Sequence, residues 1–326
     1  MQLARSCLGA LVGILGCTAI AVAADTSYPR QPVTVIVQFP PGGVPDTMGR
    51  LLAQNLSKQL GQPFIVENRT GAAGNIGTEA AARATPDGYT LLFAADAPMV
   101  INPAVYASLP FDPVADFEPI TLAAEAAFAL LAGPAFKGKN VQDLIEQAKA
   151  NPGAINFGSS GIGSSHHLAG ELFNTLAGVD INHVPYRGFG PGSVDVMGGQ
   201  LEVMYGSVPA SRPLVDAGKL RALAVTGSSR SSGMPDVPTM IEAGLPNYDV
   251  TAWFGLMAPA GTPPAILEQL NQATQRALDT EELREASAKQ GLTLVVGVGP
   301  EDFAKRIQSD LAKWQEVVKS ANITVQ

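Results

Sequence analysis

The sequence predicts an α/β protein of two domains, each a mostly parallel sheet flanked by helices. Continuous apolar, β-branched runs such as residues 33–39 (VTVIVQF) are what a sheet covered on both faces requires. Each run gives way, after a Gly- or Pro-rich turn, to helical spacing, the order of βαβ units with right-handed crossovers. Roughly 300 residues beyond the first two dozen, with 46% hydrophobic content overall, are more typical of two cores than of one.

Residues 1–24 hold one basic residue, Arg5, no acidic residue, an apolar run over 8–20 and the small-residue pattern Ala21-Val22-Ala23. This reads as a secretory signal peptide cleaved near Ala23 or Ala24. Ile14-Leu15-Gly16-Cys17 resembles a lipobox and offers a competing reading with a lipid on Cys17. The apolar run continues past Cys17 to a good Ala-x-Ala, which favours ordinary cleavage. Both cysteines, Cys7 and Cys17, lie in this segment, so cleavage leaves no disulfide and no thiol chemistry. No later apolar run is long enough to span a bilayer. The 21 basic residues against 29 acidic ones argue against nucleic acid or an anionic membrane as partner.

In the first domain the run 33–39 ends at Pro40-Pro41-Gly42-Gly43. Asp46 is placed to cap a helix whose apolar face is Met48, Leu51, Leu52 and Leu56, stopped by Gly61. Residues 64–66 form a strand and 75–83 a small-residue helix. Pro86-Asp87-Gly88 is a turn, and 89–94 a strand ending at Ala95-Asp96. Ligands of open parallel sheets sit beyond the carboxyl ends of the strands, which places Phe39, Gly43, Asn75 and Ala95 near such an edge. Residues 102–119 are proline-rich and read as irregular. Residues 120–132 supply two apolar segments that cross into the second domain, where 141–149 is a helix capped by Asn140.

Residues 155–173 (INFGSSGIGSSHHLAGELF) organise the second domain: a strand, a Gly/Ser loop and a helix with Leu168, Leu172 and Phe173 on one face and Ser164 or Ser165 at its N-cap. Amide N–H groups at a helix start lack intrahelical partners, and the dipole favours negative charge there, so this loop can hold a carboxylate, phosphate or sulfate. Ordinary βα turns share the same composition. Gly161, Gly163 and His166 break the dinucleotide fingerprint, and the glycines around Ser159 and Ser160 are misplaced for a hydrolase elbow. Beyond it lie a strand at 181–186, a loop at 187–192, a short helix at 193–197 and strands at 201–205 and 220–225, with 249–258 crossing back. Helices follow at 264–278, 281–289 and 301–320, with a strand at 292–295 between the last two. The stripe Phe303, Ile307, Leu311, Trp314 and Val318 is expected to pack on the first domain, making it discontinuous: 25–124 plus 252–326, with 125–251 as the second domain.

Other candidate chemistry is thin. His167 and Glu171 stand at i, i+4, but with His166 they match no metal motif, and no metal or cofactor is expected. His166 is expected to face the loop and His167 the solvent or a neighbouring strand. Arg187 can meet a carboxylate bidentately or pair with a surface acid. Asp46, at a loop suited to anions, is expected to cap its own helix or to accept from an amino or hydroxyl group of a ligand.

The segments VTVIVQFPPGGVPDTMGRLL, VENRTGAAGNIG, PDGYTLLF, INPAVYASLPFDPVADFEPI, FGSSGIGSSHHLAGELF, HVPYRG, GGQLEVMYG and WFGLMAPAGTP, in this order, resemble the tripartite tricarboxylate transporter solute receptors, the Bug-type periplasmic binding proteins. The resemblance implies a two-domain, type II-like periplasmic binding protein whose cleft closes on a small, usually carboxylate-bearing ligand. It places residues 39–46 (Phe39, Gly43, Val44, Pro45, Asp46) on one cleft wall and 159–166 on the other, where Ser160, Gly163, Ser164, Ser165 and His166 are the candidates. Arg187 and Gly188 match a basic residue before glycine. Asn75, Ala95 and Asp96 complete the set, with Val44, Pro45, Asp96, Ala97, Phe189 and Ser207 setting ligand identity. Two departures stand out: Gly49, where alanine is common, and Glu202, where aspartate is usual. The resemblance implies a monomeric, non-enzymatic periplasmic receptor for a small organic acid that delivers it to a large and a small permease subunit, with no nucleic-acid partner. Signalling to a membrane sensor kinase, or a secreted hydrolase using Ser160 with His166 or His167, are the alternatives.

Overall fold

The computed structural model describes residues 28–321 and Ile323; the segment read as a signal peptide, with Cys7 and Cys17, lies outside the described residues. Three β-helix units come first. β1 (Val33–Val37) feeds α1 (Val44–Leu60), which ends where Gly61, in the left-handed region at φ 72°, donates its N–H to the Ser57 carbonyl. β2 (Phe64–Asn68) leads through a tight turn to α2 (Asn75–Ala82). β3 (Thr90–Ala95) runs into a π-helical turn at Ala97–Ile101 and α3 (Asn102–Val105), so the stretch expected to be irregular begins as helix. β1 pairs in parallel with β2 on one side and β3 on the other. The departure at Gly49 has a packing cause: a Cβ there would stand 2.9 Å from Val37 Cγ2, so glycine lets α1 lie close on β1.

Residues expected as two apolar segments form one strand, β4 (Phe117–Ala132). The second unit then adds α4 (Val141–Ala150), capped as expected by the Asn140 side chain on the Asp143 N–H, β5 (Asn156–Ser159) and α5 (Ser165–Ala177). β6 (Asn182–Pro185) precedes α6 (Phe189–Met197), which starts four residues earlier than the expected 193 because Gly188, at φ 103°, turns the chain into it. β7 (Val203–Ser207) precedes α7 (Val208–Asp216), to which the sequence reading assigns no element: Pro209 occupies its first turn and Pro213 its interior. Glu202 accepts from both the Asn156 N–H (2.9 Å) and its side-chain amide (3.1 Å), tying the ends of β5 and β7 together. After β8 (Arg221–Val225) come β9 (Thr251–Pro259), α8 (Pro264–Leu278), α9 (Glu281–Lys289), β10 (Thr293–Leu294) and α10 (Pro300–Ser320).

The strands make two sheets that share β4. One runs β2-β1-β3-β9-β4, with β10 also on β4; the other runs β4-β7-β5-β6, with β8 also on β4. Each lobe is parallel only in its outer strands, and β9 is antiparallel to both β3 and β4. The expectation of mostly parallel sheets is corrected at the centre, because a strand that crosses between lobes must be matched by one that returns.

Strand direction then fixes how the lobes meet. β4 runs from the first sheet into the second in the same sense as β3, whereas β7, β5 and β6 run against it. The carboxyl ends of both sets therefore point toward each other. In register, the end of β3 (Ala95) lies level with Ala124 through Phe254, and the end of β7 (Ser207) lies opposite Phe128. The four residue steps of β4 from Ala124 to Phe128 span about 13 Å.

α10 lies along this junction. Phe303, Ile307, Trp314 and Val318 are buried, and Trp253 of β9 meets Phe303 edge-on at 5.2 Å between ring centroids. α10 packs on the first domain as expected, against α3, and in addition touches α5 of the second lobe. A Cβ on Gly255 would stand 2.4 Å from the Phe303 ring, so glycine is needed for α10 to seat on β9. Gly255→Ala is expected to cost about 1–3 kcal/mol of stability through overpacking, measured by chemical denaturation.

Candidate ligand-binding site

Each outer strand delivers the chain to a helix start at the facing edges: β1 to α1, β2 to α2, β3 to the π-helical turn, β5 to α5, β6 to α6 and β7 to α7. Helix N-termini thus line both sides of the gap, and their first-turn amides lack intrahelical acceptors.

In the first lobe, Asp46 corrects its expectation. The cap of α1 is Gly43, and Asp46 is the third helical residue, 4% exposed. Its carboxylate accepts from the Gly42 N–H (2.9 Å), Arg50 Nε (3.1 Å) and Asn68 Nδ2 (2.8 Å). The same Asn68 amide donates to the Phe39 carbonyl at 2.9 Å, so Asn68 pins the Phe39 end of the 39–42 loop and Asp46 the Gly42 end. Burial alone would raise the Asp46 pKa, but the bonds from Arg50, Gly42 and Asn68 outweigh it and hold the carboxyl below its ordinary range. An Asp46 so engaged shapes the loop and has no capacity left for an amino or hydroxyl group.

Gln38, 1% exposed, organises the neighbouring edge: it accepts from the Ala95 N–H (2.9 Å) and donates to Thr78 Oγ1 (2.5 Å). Asn75 accepts from Asn102 Nδ2 at 2.6 Å. Gly74, at φ 94°, lies against Phe39 and Pro98, where a Cβ would be 2.5 Å from Pro98 Cγ. Phe39, Asn75 and Ala95 are thus brought together, with Val44, Pro45 and Ala97 partly exposed in the first turns beside them. Asp96 is buried, and burial together with the nearby Asp310 charge pushes its pKa up to about 7, so its side chain belongs to the α10 side of the junction.

In the second lobe all three histidines of the chain bond to one loop. His183 Nε2 lies 2.5 Å from Ser159 Oγ, His166 Nδ1 2.6 Å from Ser160 Oγ, and His167 Nδ1 accepts the Gly163 N–H at 3.1 Å. His167 is not in solvent: its ring stacks on His183 of β6 at 3.6 Å. Ser164 caps α5, its hydroxyl accepting from the His167 N–H (3.2 Å) and donating to the Gly161 carbonyl (2.7 Å). The Gly163 amide and the Ser164 hydroxyl are therefore engaged inside the loop. Ser165, with its hydroxyl, and His166 contribute the first-turn amides of α5, and Phe189 and Gly190 those of α6. Arg187 is exposed beside Gly188. Phe189 packs over Gly206, where a Cβ would be 2.2 Å from its ring, and Ser207 opens α7.

Ser160 and His166 are close enough for a nucleophile and base. His166 Nε2, however, is buried with no hydrogen-bond partner and its ring packs edge-on against Phe128 at 4.6 Å, so no acid orients the imidazole. Burial lowers the His166 pKa to about 4; burial and the neighbouring His167 lower that of His183 to about 3. Both rings are neutral near pH 7 and buttress the loop. Sequence reasoning missed Gln38, Asn68 and His183 as site supports. A lone amide ending an apolar run was the available signal for Gln38, whereas nothing local marks His183.

The whole arrangement is a set of neutral donors on two facing lobes joined by crossing strands. Residues 48–323 match the sequence model of the tripartite tricarboxylate transporter family receptor. The chain belongs to this family. It is 40% identical to protein BugT of Bordetella pertussis over 314 residues, covering 95% of this chain and 96% of that protein. Among solved structures it is similar to an R. palustris protein with adipate (35% identity, TM-score 0.73, 91% of this chain and 99% of the other). It is also similar to MatC from Rhodopseudomonas palustris with bound malate (34% identity, TM-score 0.70, 89% and 100%). The two-domain α/β architecture of this receptor family is therefore that of the present chain.

Neutral histidines impose a pH dependence with a definite sign. Where a folded-state pKa lies below the ordinary value near 6.5, the unfolded chain takes up protons first. Their contribution to stability is complete above about pH 6.5 and is lost as pH falls toward 4 and then 3. Melting temperature is expected to decline through this window, and less steeply in His166→Gln.

Proposed function

We propose that this receptor captures a small organic dianion, a dicarboxylate of the malate-to-adipate size range, between its lobes in the periplasm, and presents it to a membrane permease made of a large and a small subunit. The observation that carries the reading is the opposition of helix N-termini: Val44 and Asp46 of α1 offer first-turn amides from one lobe, and Ser165, His166, Phe189 and Gly190 from the other. Two anionic ends fit two donor sets on opposite walls, and neutral donors with helix dipoles stabilise them without a buried cation. The malate and adipate bound by the two R. palustris relatives support this ligand class.

Binding closes the lobes because the ligand meets both donor sets only when the gap narrows, a differential contact of the kind any ligand-driven closure requires. We place the division between domains in the crossing spans of β4 and β9, at 124/125 and 251/252. The protein acts as a monomeric receptor and not as an enzyme; the unoriented His166 supports that reading. An exported location follows from the signal-like segment and the family.

The test is calorimetry and thermal shift on protein stripped of carried ligand, with succinate, malate and adipate against acetate and neutral analogues. At a hundredfold excess over Kd a true ligand stabilises by about 2.7 kcal/mol. Ser165→Pro removes one donor N–H at a position where proline suits a helix. It should weaken a binding dicarboxylate by about 1.5–3 kcal/mol with the fold retained. Saturable binding confined to neutral solutes, or an unchanged affinity in Ser165→Pro, would contradict the reading.

A further inference from the structure

The carboxyl-terminal helix ties together the two strands that pass between the lobes. Arg306 of α10 donates from Nη1 to Glu125 Oε1 of β4 (3.0 Å), from Nη2 to Thr251 Oγ1 of β9 (2.9 Å) and from Nε to Asp310 Oδ2 (2.8 Å). Glu125 lies in the short span of β4 between the facing edges, and Thr251 pairs with Ala127 at the other end of that span. One planar guanidinium therefore fixes both crossing strands to one helix, a geometry that a single-point ammonium does not reproduce.

Asp310 is itself held in place, accepting from the Trp253 indole N–H (3.0 Å) and pairing with Lys313 (2.8 Å), which also donates to the Asp249 carbonyl (3.0 Å). Asp249 is where the chain leaves the second lobe for β9. Its Oδ2 stands 3.9 Å from Arg306 Nη1, and its Oδ1 is buried with no hydrogen-bond partner. Arg306 thus has two acids fully engaged, Asp310 on its own helix and Glu125 in the first sheet, and a third, Asp249, at the edge of reach. Buried polar atoms are rarely left unpaired, so this half-made contact marks a place where a small rotation changes the pairing.

We propose that Arg306 is a positioning residue that sets the balance between open and closed lobes, its guanidinium shifting between Glu125 and Asp249 as the second lobe turns about the crossing strands. It touches no ligand and acts through β4 and β9. Its effect on affinity rests on the receptor reading above; its effect on the ligand-free protein does not.

The experiment compares wild type with Arg306→Met, Arg306→Lys and Thr251→Val by small-angle scattering without ligand, by calorimetry with malate and by melting temperature. The clamp predicts a larger and broader radius of gyration for ligand-free Arg306→Met, a smaller change for Thr251→Val, and only partial rescue by lysine. The malate Kd should shift by about fivefold or more, the lower end of coupling between distinct sites. A purely structural ion pair would lower the melting temperature while ligand-free scattering stayed that of wild type, and this result overturns the proposal. If Arg306→Met fails to fold, wild-type scattering from both Arg306→Lys and Thr251→Val overturns it equally. Failure of wild type to bind malate or adipate counts against the dicarboxylate reading and leaves the ligand-free comparison to decide the clamp.

Discussion

The antiparallel pairing of β4 with β9 is the constraint on which the rest depends. Because β4 passes from one sheet into the other and β9 returns beside it, the parallel strands of the two lobes end face to face. Once the strand ends face each other, the helices that follow them must also start there, and a gap bordered by helix N-termini results without any dedicated binding motif. Burial of Trp253, Phe254, Leu256 and Met257 along β9 makes this junction a shared core, so the lobes are joined by a packed pair of strands and not by a loose linker.

The chemistry at the gap is notable for using neutral groups. The first-lobe loop is shaped by Asp46 and Asn68, whose bonding capacity is consumed internally, and the second-lobe loop by three histidines, of which His166 and His183 are kept uncharged by burial. Arg50 pairs with Asp46. Main-chain amides at the starts of α1, α5 and α6 are the groups that the proposed solute would meet. Such a wall stabilises an anion through fixed dipoles while avoiding the desolvation cost of a buried cation.

Local order was largely legible in the sequence because it rests on local chemistry. The apolar run at 33–39, the Asn140 cap and the Ser164 cap follow from residue type and spacing, and the structure has them at or near the expected residues. What could not be read depends on distant partners. Asp46 looked like a cap, but Asn68, on the next strand, draws its carboxylate back over the loop. His167 could not be assigned a neighbour until β5 and β6 paired in register and brought His183 beneath it. α7 has no clear signal because it carries Pro209 and Pro213, although the first sits where proline costs a helix nothing. The stripe on α10 showed that the helix is buried but not that it spans the junction, since Phe303 and Trp314 say nothing of which lobe they meet.

Amide hydrogen exchange with and without malate tests the central claim most directly, since it reads every loop at once. The account predicts simultaneous slowing of exchange at 42–47 and at 160–166 on saturation, with little change on the outer faces of α4 and α8. Slowing confined to one lobe, or absent from both loops while another region is protected, would contradict it.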